Sequence, residues 1–276
     1  MRFTDQDAVR VAEILRAAAA KEIMPRFRRL EEGAVRLKTS ATDLVTDADE
    51  AAERFIEAEL LRAFPGAAVI GEEAVSRDPA RLKGLGEAEI AFILDPIDGT
   101  FNFASGLPLF GVMAAVTMRG EVVCGVILDP VMDDWAVALR GEGAWLQRPD
   151  GERTLFRVAS PAPLGELVGN VSWAYLPEEL RRAVPANLWK FALTPDFRCA
   201  AHNYRLLASG HLHFTFSSSV KPWDHAAGCL IHREAGGYTA HFDGSPYRPI
   251  NLGGGLISAP DRSTWEAVRD ALLGGP

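Results

Sequence analysis

The sequence predicts a mixed α/β fold (α+β) built in layers, and three observations carry that expectation. Segments of helical periodicity alternate with short apolar runs along the 276 residues. Two of those runs, Ala67-Ala68-Val69-Ile70 and Ile90-Ala91-Phe92-Ile93-Leu94, are continuously apolar, as strands covered on both faces are. Residues 111–146 then read as an antiparallel meander, because β-prone segments are separated there by turn residues.

Each element has its own reason. Thr4 is an N-cap followed by Asp5 and Asp7, and Val9, Ala12, Ile14, Leu15 and Ala18 recur at helical spacing, so a first helix is expected over 5–29. Ala34-Val35-Arg36-Leu37 is a short strand, followed by a polar stretch over 38–43. Thr46 with Asp49 three residues on resembles a capping box, with Asp where Glu is usual, and Ala48, Ala52, Phe55, Ile56 and Leu60 continue a second helix as far as Pro65-Gly66. The strands at 67–70 and 90–94 stop at Gly71-Glu72-Glu73 and at Asp95, so two strand ends deliver carboxylates. The meander uses 112–118, 122–128 and 135–139. Residues 148–163, carrying Pro149, Asp150-Gly151, Pro161 and Pro163, are the expected boundary between halves 1–150 and 151–276 of one catalytic unit. The second half is read as strand 166–171, helices 178–190 and 201–209, strand 211–216, helix 223–235, strand 255–259 and helix 262–273.

Composition narrows the function classes. Hydrophobic residues make up 48% and charged residues 24%, which excludes a disordered or fibrous chain. The 29 basic against 37 acidic residues give a net charge of −8, so no partnership with a nucleic-acid polymer is expected. Cys124, Cys199 and Cys229 form no CxxC pair, which argues against a zinc cluster or a disulfide framework and for a reducing cytoplasm. The acidic N-terminal stretch is unlike a signal peptide and no window approaches a membrane span, so no membrane partner is expected. The six histidines all fall after residue 201, and His211 and His213 would share a strand face; no third ligand at zinc spacing accompanies them.

The chemistry concentrates in Asp95-Pro96-Ile97-Asp98-Gly99-Thr100. Two carboxylates three residues apart on a turn after a strand can point to one side, and crowded carboxylates call for a cation between them. The donors on offer, Asp95, Asp98 and the Ile97 carbonyl, are hard oxygens that suit Mg²⁺, Mn²⁺ or Ca²⁺, and the spacing is not that of an EF-hand.

With these stretches in view, the chain resembles the inositol monophosphatase family, the lithium-sensitive, magnesium-dependent phosphomonoesterases related to fructose-1,6-bisphosphatase. The matching elements are Lys38 with Asp43-Leu44-Val45-Thr46 and Asp49, then Gly71-Glu72-Glu73, then Asp95 to Thr100 with Asn102-Phe103, and finally Trp223-Asp224 through Ala226-Ala227-Gly228 to Glu234-Ala235-Gly236-Gly237. The resemblance implies an α-β-α-β-α sandwich and hydrolysis of a small-molecule phosphate ester by a metal-activated water. It implies two or three Mg²⁺ ions, with Mn²⁺ as a substitute, held by Glu72, Asp95, the Ile97 carbonyl, Asp98 and Asp224. Asp49 and Thr100, with Glu72, would orient the attacking water, the Gly99 and Thr100 amides would cradle phosphate, and Lys38 would approach the site. A homodimer and lithium inhibition are implied in the same way.

The departures bear on the substrate. Phe101 stands where the family's second threonine is usual, Arg198-Cys199-Ala200 replaces a small Gly-Ser/Thr-Ala run, and Ser217 stands where inositol-hydrolysing members carry a glutamate. Arg198 and Lys221 are therefore expected to contact a polar or anionic part of the leaving group. Histidinol phosphate, a sugar phosphate or bisphosphate and a nucleotide 3′-phosphate stand beside inositol phosphate as candidates. The rival functions are a non-catalytic phosphate-binding protein and a phosphatase with an aspartyl nucleophile.

Overall fold

The computed structural model describes residues 2–31, 33–40 and 43–274. In chain order these form α1 (Asp5–Ala18), β1 (Val35–Ser40), β2 (Asp43–Thr46), α2 (Asp47–Ala63), β3 (Ala68–Gly71), α3 (Glu72–Arg77), α4 (Gly84–Glu87), β4 (Ile90–Asp98) and α5 (Thr100–Ala104). The strands β5 (Gly111–Met118), β6 (Glu121–Asp129), β7 (Asp134–Leu139), β8 (Gly143–Gln147), β9 (Arg153–Leu155) and β10 (Gly169–Val171) follow. The chain continues through α6 (Glu178–Ala183), α7 (Ala200–Ala208), β11 (Phe214–Ser217), α8 (Pro222–Glu234), β12 (Tyr238–His241), β13 (Leu256–Ala259) and α9 (Arg262–Leu273).

Beside a separate two-stranded sheet in which β1 pairs with β2, a seven-stranded and a four-stranded sheet are sandwiched among three helical layers. The larger has the order β3-β4-β5-β6-β7-β8-β9, with β3 parallel to β4 and each later neighbour antiparallel; the smaller has the order β10-β11-β13-β12. Alternation along the strands shows the layering, since successive side chains leave opposite faces of a sheet. On β4, Phe92 and Leu94 join α1 and α2 residues such as Leu15 and Ile56 in one core, while Ala91 and Ile93 join α7 and α8 residues such as Leu207 and Leu230 in a second. A third core, with Phe214, Phe216, Ile257, Trp265 and Val268, fills the space between the smaller sheet and α9.

The expected capping box of Thr46 with Asp49 is present, and the expected N-cap Thr4 forms a capping box of its own with Asp7. The first helix, expected as far as residue 29, is α-helical only to Ala18, continues as a π-helical turn over Ala19–Ile23 and stops at Met24, because Pro25 has no N–H to donate. The expected helix over 178–190 is divided for the same reason, with α6 ending before Pro185 and a 3₁₀ segment covering Pro185–Lys190. The strand expected from 211 begins at Phe214, so His211 and His213 lie ahead of it and share no strand face. Short elements carry too few residues for a periodic signal: β2, α3, α4, β8, β9 and β12 all fall in this group, and β9 lies inside the 148–163 stretch as the edge strand of the large sheet.

The most consequential difference is in β4. Its apolar run ends at Leu94, yet the strand continues to Asp98 through an irregularity: Asp95 pairs with Met113 and Asp98 with Gly111, so the two residues between them oppose one. In a regular strand, residues three apart face opposite sides. The extra residue reverses that parity, Ile97 drops into the core against α1 and α2, and Asp95 and Asp98 emerge together on the other face. Pro96 is tolerated there because a bulge does not require its N–H.

Candidate active site

A cavity of about 660 Å³ opens between the two sheets where β3, β4 and the first turn of α8 end. Glu72, Asp95, Ile97, Asp98, Gly99, Thr100, Arg198, Ser217 and Asp224 all line it, although they come from four distant parts of the chain. Lys38 and Asp49 stand directly behind that wall. The Lys38 ammonium lies 3.0 Å from Glu72 Oε1 and 2.5 Å from Glu73 Oε1, and these two carboxylates keep it firmly charged despite burial. Asp49, in the first turn of α2, accepts from the Thr46 amide (2.8 Å) and hydroxyl (2.5 Å) through Oδ2, which leaves Oδ1 for the Thr100 hydroxyl at 3.1 Å. That hydroxyl is also 2.9 Å from the Ile97 carbonyl.

Asp98 is held from the other side of the cavity. The Cys199 thiol donates to its Oδ2 at 2.9 Å and the Ala201 amide at 2.6 Å, so the start of α7 is tied to the end of β4. Cys199 therefore does more than fill space, whereas Cys124 is a buried thiol on the large sheet and Cys229, on α8, meets the Tyr204 hydroxyl at 3.3 Å. Gly99, at φ +87°, adopts a left-handed conformation in which an added Cβ would stand 2.9 Å from the Leu109 carbonyl and 3.3 Å from Cys199. The two features together bring the α5 start close to α7. Asn102 closes the arrangement by donating to the carbonyls of Leu109 and Phe197, both at 2.8 Å.

Electrostatically the site is short of cations. Burial and mutual repulsion hold Asp95 well above the usual carboxylate range; burial raises Asp98 and pushes Asp224 up to about 8, with Lys221 drawing Asp224 back. Burial also pushes Asp49 up to about 7. Among the described residues no three His, Cys, Asp or Glu side chains stand close enough together to enclose an ion as they are. In kind, the donor set fits a hard divalent cation: buried carboxylates and a carbonyl, all oxygen, whose repulsion such an ion would relieve.

The substrate side unites the sequence departures. The Arg198 guanidinium lies 3.5 Å above the centre of the Phe101 ring, and Arg198 itself has φ +51°, unusual for a residue with a side chain; its amide is held by Asp196 Oδ1 at 3.0 Å. Ser217 donates to the Ser219 carbonyl at 2.8 Å, and Lys221 lies 3.7 Å from Glu72. Sequence reasoning did not find Glu73, the second partner of Lys38, or the pair Tyr204 and His225. The Tyr204 hydroxyl meets His225 Nδ1 at 2.8 Å, and His225 Nε2 donates to the Ser219 carbonyl at 2.8 Å. Glu73 was legible as the neighbour of Glu72; Tyr204 carries no local signal, because only the packing of α7 on α8 brings it to His225.

The fold and the site together define a class, a layered α/β protein with acidic groups from distant segments gathered at the strand ends between its sheets. The model of the inositol monophosphatase family matches residues 5–272, and the chain belongs to that family. It is 33% identical over 270 residues to the protein named Nus factor SuhB of Pasteurella multocida, covering 92% of each chain, and 33% identical over 211 residues to the fructose-1,6-bisphosphatase/inositol-1-monophosphatase of Thermotoga maritima, covering 76% of each. Among solved structures, the extragenic suppressor protein suhB of Bartonella henselae matches with a TM-score of 0.79 at 28% identity, over 96% of this chain and 99% of that one. With its family, the chain is a phosphatase. No helix among the described residues is long and apolar enough to cross a membrane.

Proposed function

We propose that the protein hydrolyses a small-molecule phosphate monoester in the cavity between its sheets, with magnesium bound by Glu72, Asp95, the Ile97 carbonyl, Asp98 and Asp224. The observation that carries this reading is the β4 irregularity, which turns Asp95 and Asp98 to one side, toward Glu72 and Asp224. Bound there, Mg²⁺ or Mn²⁺ would supply positive charge to the phosphate and leaving oxygens and make a nearby water more acidic.

The chain's own groups supply the rest. Thr100 accepts a proton from the attacking water while passing its hydroxyl proton to Asp49 Oδ1, 3.1 Å away. Burial prepares Asp49 for that task, since a base near pH 7 balances readiness to accept a proton against availability in the ionised form. The Gly99 and Thr100 amides, at the start of α5, face the phosphate oxygens. Lys38, shared between Glu72 and Glu73, fixes the orientation of Glu72. This pairing favours catalysis over a phosphate-binding role, because a binding module has no use for a hydroxyl relayed to a buried carboxylate. The spacing of Asp95 and Asp98, with two residues between them, supports an attacking water over an aspartyl nucleophile, which works in an Asp-x-Asp motif.

On the leaving-group side, Arg198 over Phe101 and the short Ser217 support a substrate with a polar or anionic leaving group, such as a sugar phosphate or bisphosphate, histidinol phosphate or a nucleotide 3′-phosphate. Family membership supports lithium sensitivity and a homodimer, and the three buried thiols suit a reducing cytoplasm. The test is phosphate release from a panel of several dozen phosphomonoesters, with and without Mg²⁺. Release confined to the Mg²⁺ arm, and lost on chelation, is expected; release that persists in chelator, or a phosphoaspartate trapped at Asp95, would overturn the proposal.

A further inference from the structure

A second cavity, of about 240 Å³, lies on the opposite side of α8 and shares no lining residue with the first. Its inner walls are apolar, with Val122, Ala226, Leu230, Tyr247 and Pro249 among them, while three arginines, Arg140 in the turn after β7, Arg233 on α8 and Arg248 in the loop after β12, line it from three separate parts of the chain. Among the described residues of its lining Glu121 is the only carboxylate, and with Glu234 beside Arg233 the three arginines face two carboxylates, a local excess of positive charge in a chain whose net charge is −8. Arg140 is fixed, donating to the Val122 carbonyl at 2.8 Å and to Glu121 at 2.9 Å. Arg248 only reaches Glu121 at 4.0 Å, and Arg233 faces Glu234 at 3.5 Å, with both side chains half-exposed or more. Glu234 is itself engaged by the Gly141 and Gly143 amides, which leaves the positive charge incompletely matched. Tyr247 adds an independent mark: its hydroxyl is buried and has no hydrogen-bond partner among the described residues.

We infer that this cavity is a binding site for a small amphipathic anion, a flat apolar body carrying a carboxylate, phosphate or phosphonate head. The apolar walls take the body, and Arg233 and Arg248, whose present ion pairs are loose, close on the head. Arg140 is already pre-organised beside them, so little ordering is needed there. The site is also wired to the reaction cavity. Cys229, on its wall, is 3.3 Å from the Tyr204 hydroxyl, which bonds His225 in the first turn of α8, next to Asp224.

Phenylphosphonate has the required shape and cannot be hydrolysed, so it serves as the probe. Crystals of the full chain soaked with it in the presence of chelator, which disarms the reaction cavity, are expected to show its density beside Arg233 and Arg248. Calorimetry under the same conditions should give single-site binding that weakens at least ten-fold in the double variant Arg233→Ala/Arg248→Ala and is unchanged in Arg198→Ala. Both substituted arginines are surface residues, and phosphate release by the double variant, measured in parallel with Mg²⁺, reports that it is folded. Absence of density between these arginines, or equal affinity for the wild type and the double variant, overturns the inference.

Discussion

Asp224 and Thr100 show how differently two neighbours in one cavity contribute. Asp224 is a buried carboxylate raised to about 8, a cost that only a nearby cation repays. Asp224→Asn is expected to lower kcat at least about 100-fold at saturating Mg²⁺, roughly 2.7 kcal/mol of barrier; steady-state phosphate release measures it, and wild-type turnover would remove Asp224 from the metal set. In the proposed mechanism Thr100 acts through its hydroxyl. Thr100→Val keeps the shape but removes the relay to Asp49, so it should cost at least about ten-fold in kcat, and Asp49→Asn added to it should cost little more, because both changes break one proton path. A double-mutant cycle on kcat decides; full additivity would separate the two residues. Gly99 matters by what it lacks, since any Cβ would press on the Leu109 carbonyl in a backbone conformation that side chains avoid.

At the scale of elements, the β4 irregularity and α8 decide where the chemistry sits. α8 presents Asp224 and His225 from its first turn and is buried along most of its length, between the large sheet and the smaller one. Tyr204 lies across Gly228 of α8, where an added Cβ would fall 2.0 Å from its ring, and the Tyr204 hydroxyl secures His225. Burial pushes His225 down to about 4, so it is neutral at working pH and can accept at Nδ1 while donating at Nε2. Tyr204→Phe removes one buried hydrogen bond, and a loss of about 1 kcal/mol in chemical denaturation is expected. On the far side of the molecule, Trp265 of α9 is 2% exposed and fills the third core. Trp265→Ala should cost about 3–5 kcal/mol by the same measurement, without altering KM in whatever fraction remains folded.

For the whole molecule, buried acids make stability depend on pH. Glu53, beneath the strand-β3 end, accepts from the Glu73 amide at 2.8 Å, and burial raises its carboxyl to about 7. A carboxyl raised in the folded state gives its full stability below the ordinary value near 4.5, and that contribution is lost as pH rises through about 7. Metal-free protein should therefore weaken between pH 4.5 and 8, and Glu53→Gln should flatten the slope, by an amount on the order of 1–3 kcal/mol. Denaturant titrations across that range test it; an unchanged slope in the variant would assign the pH dependence elsewhere. Mg²⁺ added to chelator-treated protein should raise Tm through preferential binding to the folded state, and should raise it less in Asp224→Asn.

Much of this was legible in the chain itself, for identifiable reasons. Capping boxes at Thr4 and Thr46, apolar runs ending in carboxylates, and turn residues between β-prone segments are local features, encoded within a few residues of where they act. So was the acidic Asp95-Pro96-Ile97-Asp98-Gly99-Thr100 stretch, whose reading rested on the companion segments at Glu72 and Asp224. Phe101 and Arg198 could be singled out separately as departures, but not as a stacked pair, because 96 residues lie between them. Sequence by itself determined the longer helices and apolar strands and what kind of donor the site offers. Only the tertiary structure decided that Asp95 and Asp98 share a face, that Asp49 answers Thr100, and that arginines from three separate parts of the chain surround a second cavity: each depends on strand parity or packing between distant segments, and those are set when the layers close on one another.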